Sequence, residues 1–315
     1  MMIQLFKDPS YDFIGKRYWA YLASTIFVLV SLTSMVMKGG LHYGIDFAGG
    51  TLVQLRFEEP TSIERIRSAL DRLELGGSII QEFGDAREFV LRLPLTGSSP
   101  EAATARVQEA VGTDPSLAGA TMRRVEFVGP QVGRNLQLQA VQAVSWSIVG
   151  ILLYIAIRFD LKGGVASIAA IVHDVLVCLG AISVTDREMS LPVLAALLTI
   201  IGYSVNDTIV AYDRVRENRG KLGSRAEPFA TQVNRAINQT LSRTVLTALT
   251  TFFATFVLYL FGGKVLEDFA FVLSVGVITG TYSTVYIAGA LIVDWTAWRE
   301  GRAGPGRQAK ARAKT

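Results

Sequence analysis

The chain has 315 residues, of which half are apolar and 18% are charged, against about 25% charged residues in an ordinary soluble domain. This composition excludes a disordered chain and argues against a soluble protein, and we expect no enzymatic activity. The net charge of +4 does not indicate a nucleic-acid partner, because the cations lie at the ends of apolar segments rather than along one face. The single cysteine, Cys178, excludes an internal disulfide, and two histidines leave little room for a zinc site, so no metal or cofactor is expected.

Six stretches between charged residues are long enough to cross a membrane, since a spanning helix needs about 20 mostly apolar residues. These spans are predicted at 18–37, 135–157, 163–185, 189–212, 244–263 and 269–297. We do not expect the first span to be a cleaved signal peptide, because 17 residues precede it and no small-residue cleavage site follows it. The sequence therefore predicts an α-helical membrane protein with six transmembrane helices.

The lysines and arginines indicate the orientation of these spans. They concentrate in the segments that would share one side of the membrane, namely 1–17, 158–162, 213–243 and 298–315. The two short loops on the other side, 186–188 and 264–268, carry only Arg187 and Lys264. By the positive-inside rule, both termini and the 213–243 loop are predicted to be cytoplasmic. The basic tail 298–315 is expected to lie in solvent near anionic lipid of the bilayer.

The segment 38–134, between the first and second spans, is predicted to form a separate extracytoplasmic domain. Alternating apolar residues predict a strand at 51–57, two strands joined through Gly84 and Asp85 are predicted at 78–83 and 87–93, and a last strand at 121–128. Helical spacing predicts two helices, one beginning at a capping-box sequence, Thr61 to Glu64, and one beginning near residue 99. The order β-α-β-β-α-β is typical of a ferredoxin-like α+β domain.

Asp207 is the residue that most strongly indicates a function, because it lies inside the apolar fourth span. A carboxylate at the centre of a spanning helix costs about 2.5–3.5 kcal/mol on insertion scales, so such residues are usually functional. A carboxyl group that is both desolvated and near a cation can be switched between charged and neutral by a small conformational change, as a proton carrier requires. The alternative is that Asp207 only caps the cytoplasmic end of its span, near Asp213.

Arg243, at the start of the fifth span, is the candidate cation. It could pair with Asp207 or extend to the lipid headgroups, and the spacing does not decide between them. Within one helical turn of it begins a stripe of hydroxyl side chains on one helix face, formed by Thr240, Thr244, Thr247 and Thr251. These threonines could line a wet path between helices or bond only to their own backbone.

Two further features lie inside apolar spans. His173 and Asp174 are adjacent ionisable residues in the third span, and a structural pair is as consistent with them as a proton relay. Gly276 and Gly280 in the sixth span are four residues apart, which is the spacing of closely packed membrane helices.

Several motifs, in order from about residue 10 to residue 297, together resemble the SecF family of the bacterial SecD–SecF complex. The first is GIDFAGG at 44–50, directly after the first span, which contains Asp46, Gly49 and Gly50. The second is GPQVG, which begins at Gly129 just before the second span. The others lie in or beside the last three spans, at 201–210 (which includes Asn206), 213–218, 239–244, 259–263 and 280–283.

This resemblance implies a half-transporter of the resistance-nodulation-division type in the bacterial inner membrane. It implies a complex with SecD beside the SecYEG channel, which uses the proton gradient to assist the export of preproteins. The domain 38–134 would be periplasmic and would contact the translocating chain. The resemblance places Asp207 and Arg243 in the proton pathway. The candidate supporting residues are Asn206, Thr240, Thr247, His173 and Asp174.

Three other readings stay open. The chain could be a passive assembly subunit in which Asp207 and Arg243 only hold SecD. It could be a half-transporter of the same superfamily that exports small molecules, although such exporters need larger paired domains and twelve spans in one chain. It could also be an ion channel, although no filter-like sequence supports that reading.

Overall fold

The computed structural model describes residues 6–7, 9–73, 75, 77–93, 100–114, 117, 119–158, 161–220 and 227–302. In chain order its elements are α1 (Arg17–Met37), α2 (Ile45–Ala48), β1 (Gly50–Arg56), α3 (Ile63–Asp71), β2 (Ile79–Phe83), β3 (Asp85–Leu93), α4 (Pro100–Thr113), β4 (Thr121–Val128), α5 (Pro130–Arg158), α6 (Leu161–Val184), α7 (Leu191–Arg219), α8 (Phe229–Phe261), α9 (Lys264–Ser283), a π-helical segment (Thr284–Ala288) and α10 (Gly289–Arg302).

The chain divides into two compact units. We refer to the first, Met1–Leu41 with Val144–Arg187 and Pro192–Thr315, as the membrane unit. The second, His42–Ala143 with Glu188–Leu191, is the small unit. Most of the predicted basic tail, 303–315, lies outside the described residues.

Six helical stretches among the described residues are long and apolar enough to cross a membrane, and they are α1, α5, α6, α7, α8 and the continuous run from α9 to α10. This confirms the predicted class of a six-span helical protein with a small α+β domain. The helices extend further than the apolar spans, because α7 continues to Arg219 and α8 begins at Phe229. Most of the described part of the predicted 213–243 loop is therefore helical. Charged residues end an apolar stretch, but arginine, glutamate and glutamine are good helix formers and do not end a helix.

The spans differ in how much of their surface the chain itself covers. In α6 and α7, 50% of the most apolar window is buried, and in the α9–α10 run 56% is buried. In α5 and α8 the buried share falls to 6% and 11%. Helices α6, α7 and α9 thus form the interior of the membrane unit.

Close packing of α9 against α7 depends on two glycines. A Cβ atom added at Gly280 would lie 3.3 Å from Cβ of Ser204, and one added at Gly276 would overlap the side chain of Ile200. The predicted close helix contact at this glycine pair is confirmed, because a side chain at Gly276 requires Ile200 to move and one at Gly280 presses on Ser204.

The small unit contains a four-stranded sheet in the order β2-β3-β1-β4, in which all neighbouring strands are antiparallel. Helices α3 and α4 share one apolar core with the sheet, and its fully buried members include Val53, Ile66, Leu91 and Val107. The element order β-α-β-β-α-β agrees with the prediction, whereas the short helix α2 was not predicted. The predicted capping box is wrong in detail, because Ser62 rather than Thr61 is the N-cap of α3 and it makes no side-chain capping bond.

The link between α6 and α7 also belongs to the small unit. Gly44 donates its N–H to the carbonyl of Met189 at 2.9 Å, and Met189 donates its N–H to the carbonyl of His42 at 2.8 Å. The fourth span was predicted to begin at residue 189, but α7 begins two residues later because this backbone pairing holds the link in an extended form.

Candidate functional site

Asp207 lies on the buried side of α7 and is only 3% exposed. Its Oδ2 atom has no hydrogen-bond partner among the residues that the structure describes. Asp207 does not lie at a helix end, since α7 continues to Arg219. The exposed carboxylate nearer the C-terminal end of α7 is Asp213, which pairs with Arg158 at 3.0 Å. Asp207 is therefore a buried carboxyl group without a hydrogen-bond partner among the described residues. Leaving such an atom unsatisfied costs about 1–3 kcal/mol, so its burial calls for an explanation.

Arg243 lies on the exposed side of α8, where it lines a cavity of about 830 Å³. Arg214 and Arg235 line the same cavity, but they are paired with Glu217 and Glu227 at 2.6 and 2.8 Å. Within the described part of the chain, no ion pair shorter than 4 Å joins Arg243 to an acidic residue. Its charge and that of Asp207 interact electrostatically without direct contact.

The threonine stripe divides between the two roles that its spacing left open. Thr240 donates its hydroxyl to the carbonyls of Ala236 and Ile237 in its own helix, both at 3.1 Å. Thr247 lines the same cavity as Arg243. Asn206 is exposed on α7. Adjacent residues of a helix point to different sides, so Asn206 does not lie on the buried helix face that carries Asp207.

A buried polar cluster surrounds Asp174, which is 1% exposed on α6. Its Oδ2 accepts hydrogen bonds from the hydroxyls of Ser204 on α7 and Ser283 on α9, both at 2.7 Å. Its Oδ1 lies 3.0 Å from Nδ1 of His173. Sequence reasoning singled out His173 and Asp174 but missed both serines. Only their helical spacing could have indicated these serines, because Ser204 shares a helix face with Asp207 and Ser283 shares one with Gly280.

The same face of α7 makes two further hydrogen bonds to the helix run that contains the π segment. The hydroxyls of Thr208 and Thr284 are 3.0 Å apart, and Tyr212 donates its hydroxyl to the carbonyl of Ala288 at 3.0 Å. A π segment widens the backbone spacing and often occurs at functional sites. Here it lies directly after Ser283, so the cluster at Asp174 adjoins an irregular turn of the sixth span.

The glycine motif after the first span has a structural role within the small unit. Asp46 accepts a hydrogen bond at 2.9 Å from the N–H of Leu191, the first residue of α7, and so caps that helix. Gly49 and Gly50 have φ angles of 72° and 128°, which residues with a Cβ rarely adopt. Gly129 directly precedes α5, and the tight position in that motif is Gly133, where a Cβ would lie 2.8 Å from the carbonyl oxygen of Phe47.

No group of three or more His, Cys, Asp or Glu side chains that could hold a metal ion occurs in the described ranges. The ionisable groups that the sequence singled out in the membrane unit are two buried carboxyl groups, Asp174 and Asp207, with His173 beside the first and the exposed Arg243 on α8. Together with the six apolar helices, these groups define a multi-pass membrane protein with ionisable groups buried between its spans.

Comparison with known proteins identifies the family. Residues 110–298 match the family model "Protein export membrane protein SecD/SecF, C-terminal", and residues 35–61 match the SecD/SecF GG motif. The chain belongs to the SecD/SecF family. It is 42% identical over 287 residues to the protein translocase subunit SecF of Calditerrivibrio nitroreducens. This alignment covers 90% of the chain and 94% of that relative. It is also 45% identical over 286 residues to the SecF subunit of Desulfurispirillum indicum, in an alignment that covers 90% of the chain and 91% of that relative.

A solved structure has the same fold. The crystal structure of SecDF from Thermus thermophilus, described as a translocon-associated membrane protein, superimposes with a TM-score of 0.83 at 42% identity. The match covers 92% of this chain but only 39% of that one. The relative thus carries, in one polypeptide, a large further portion that this chain does not contain.

Proposed function

We propose that the chain is the SecF-type subunit of a protein-export complex and that it works together with a SecD subunit. The family membership and the SecF relatives that match over nine-tenths of this chain support this assignment. The SecDF relative supports the partnership, because its name joins SecD to SecF and the match covers only 39% of its length.

The source of energy in this proposal is the proton gradient, and Asp207 is the proton carrier. A carboxyl group that is buried and has no hydrogen-bond partner lacks the bonds that would fix it in one charge state. One proton that crosses a membrane potential of 100 mV supplies about 2.3 kcal/mol, which is enough to shift a two-state helix packing.

Arg243 acts in this proposal as the electrostatic partner of Asp207. Arg243 lines a cavity of about 830 Å³ rather than forming a closed ion pair, and the two charges interact without direct contact. Thr247 lines the same cavity, and its hydroxyl could hydrogen-bond to a chain of water molecules there. A proton that reaches Asp207 removes the attraction between the two groups and frees α7 and α8 to move relative to each other.

The small unit is the output element of the proposal. In a bacterial inner membrane with both termini in the cytoplasm, it lies in the periplasm, where it contacts preproteins that leave the SecYEG channel. The distribution of lysine and arginine among the loops supports this orientation. Asp46 and the segment 188–190 support a link to the spans, because the small unit includes Leu191, the first residue of α7.

The single observation that carries the mechanism is the burial of an unpartnered carboxyl group at Asp207. Asp207→Asn tests it, because the amide is nearly isosteric and cannot carry a proton. Asp213→Asn is the matched control, since it removes a carboxylate from the exposed side of the same helix. In inverted membrane vesicles that contain the SecD partner, Asp207→Asn should assemble normally and lose the gradient-dependent part of export, while Asp213→Asn should retain it.

Normal gradient-dependent export by the Asp207→Asn variant would contradict the carrier role. If Asp207→Asn and Arg243→Gln combined in one chain also export normally, the two residues hold the complex together without moving protons, as a passive assembly subunit requires.

A further inference from the structure

The buried cluster at Asp174 combines a carboxyl group with an imidazole, and two serine hydroxyls would already be enough to hold that carboxyl group between the helices. Two serine hydroxyls from α7 and α9 already satisfy Oδ2, at 2.7 Å each. The remaining oxygen, Oδ1, contacts only an imidazole nitrogen, at 3.0 Å. Within the described chain no arginine or lysine is paired with this carboxyl group, which is buried between apolar helices, where ionisable residues are usually functional.

The other ring nitrogen of His173, Nε2, is buried and has no hydrogen-bond partner among the described residues. His173 is 8% exposed, and its ring lies 6.0 Å from that of Tyr282, with the planes tilted by 33°. Buried polar atoms almost always have a partner, so an orphaned nitrogen marks a place where a proton or a water molecule binds. The phenol oxygen of Tyr282 is already used, since it donates to the carbonyl of Ala20 at 2.8 Å.

We propose that His173 and Asp174 form a second proton-binding centre of the membrane unit, distinct from Asp207, in which Nε2 of His173 accepts the proton and Asp174 stores it. In the unprotonated centre, Nδ1–H of His173 donates to Oδ1 of the Asp174 carboxylate. A hydronium ion delivers a proton to Nε2, where an N–H bond forms. The Nδ1–H bond then breaks as its proton passes to Oδ1. The product is a neutral carboxylic acid beside a neutral imidazole with its hydrogen on Nε2, so the centre has gained one proton and one positive charge.

The position of the centre gives this proton a mechanical consequence. Asp174 ties α6 to Ser204 on α7 and to Ser283, the last residue of α9 before the π segment. A neutral carboxylic acid accepts weaker hydrogen bonds than a carboxylate does. Protonation of Asp174 therefore loosens the contacts of α7 and of the π segment, close to the turn of α7 that carries Asp207.

Two variants test the proton and keep the hydrogen bonds of the cluster. In Asp174→Asn the amide oxygen still accepts from both serines and the amide group donates to the imidazole, but the side chain cannot store a proton. In His173→Asn the amide group still donates to Oδ1, but no second nitrogen is available to accept a proton. Ser283→Ala is the structural comparison, because it removes one hydrogen bond and leaves both His173 and Asp174.

The measurement is gradient-dependent export in vesicles that contain the SecD partner, together with the thermal unfolding temperature of each purified complex. We expect His173→Asn and Asp174→Asn to unfold near the wild-type temperature and to lose most of the gradient-dependent export. We expect Ser283→Ala to lower the unfolding temperature and to lose less export than either.

Wild-type export by both asparagine variants would overturn the proposal, and so would equal losses in all three variants, because the cluster would then be structural. If the Asp174→Asn variant does not accumulate, the result for His173→Asn alone decides.

The inference uses the export activity proposed above, so Asp207→Asn is measured beside these variants. Loss in the His173 and Asp174 variants with normal export in Asp207→Asn would reject Asp207 as the carrier and retain this centre. The opposite pattern would retain Asp207 and reject this centre.

Discussion

Asp174 and Asp207 are both almost completely buried in the same membrane unit, but their surroundings differ. Asp174 accepts hydrogen bonds from side chains on two neighbouring helices and lies beside a histidine on its own helix. Asp207 has a carboxyl oxygen without a partner, and its nearest candidate cation acts on it only at a distance. Burial alone therefore does not define the role of a carboxyl group. Hydrogen bonds join the first carboxyl group to side chains of α6, α7 and α9, whereas the second has no hydrogen-bond partner among the described residues.

The largest expected effect comes from separating the helices that the Asp174 cluster joins. Gly280→Val places a branched side chain where a single Cβ already lies 3.3 Å from Ser204. Overpacking of this kind typically costs about 1–3 kcal/mol, and here it also moves Ser204 and Ser283 away from the carboxylate. We expect a lower thermal unfolding temperature and a loss of export.

Gly202→Val is the matched control for that change, since Gly202 is a helical glycine of α7 with no neighbouring atom within 4 Å of an added Cβ. It should unfold at or above the wild-type temperature. Equal destabilisation by the two variants would show that helix propensity, rather than the close contact of α7 and α9, determines the effect.

A smaller effect is expected at Arg243, where the fold should survive and only export should change. If the arginine acts on Asp207 through a fixed guanidinium, Arg243→Lys should impair gradient-dependent export, and Arg243→Met should impair it further, because methionine removes the cation. Protein level and association with SecD should stay normal in both. A lysine variant that matches the wild type would instead indicate an anchor at the lipid headgroups, since lysine reaches the headgroups equally well.

The smallest effect is expected within the threonine stripe of α8. Thr240→Val should leave export unchanged, because the Thr240 hydroxyl bonds to its own helix. Thr247→Val should reduce export modestly, because it removes a hydroxyl from the wall of the cavity that Arg243 lines. The ratio of gradient-dependent export rates between the two variants measures this difference, and equal rates would remove Thr247 from the pathway.

The sequence predicted the architecture well, for reasons that belong to local patterns. Apolar length predicted the six spans, local strand patterns predicted the four strands, and the glycine spacing in the sixth span predicted a close helix contact at Gly276 and Gly280. Each of these signals lies within one continuous stretch of chain, where the membrane or the sheet imposes a period.

The cluster at Asp174 could not be predicted in the same way. Ser204 and Ser283 come from helices far apart in the chain, and a single serine in an apolar span carries no signal of its partner. The π segment at Thr284–Ala288 was also missed, because nothing in its sequence, TVYIA, distinguishes it from ordinary helix. The link before α7 was assigned to the fourth span because its few polar residues do not reveal the backbone pairing with residues 42–44.

Proton flux tests the central claim, that Asp207 carries protons, more directly than export does. The complex of this chain with its SecD partner is reconstituted into liposomes, a pH difference is imposed across the membrane, and a pH-sensitive dye inside reports the flux. The account predicts a measurable flux for the wild type and for Asp213→Asn, and flux at the level of empty liposomes for Asp207→Asn. A flux through Asp207→Asn equal to that of the wild type would contradict it.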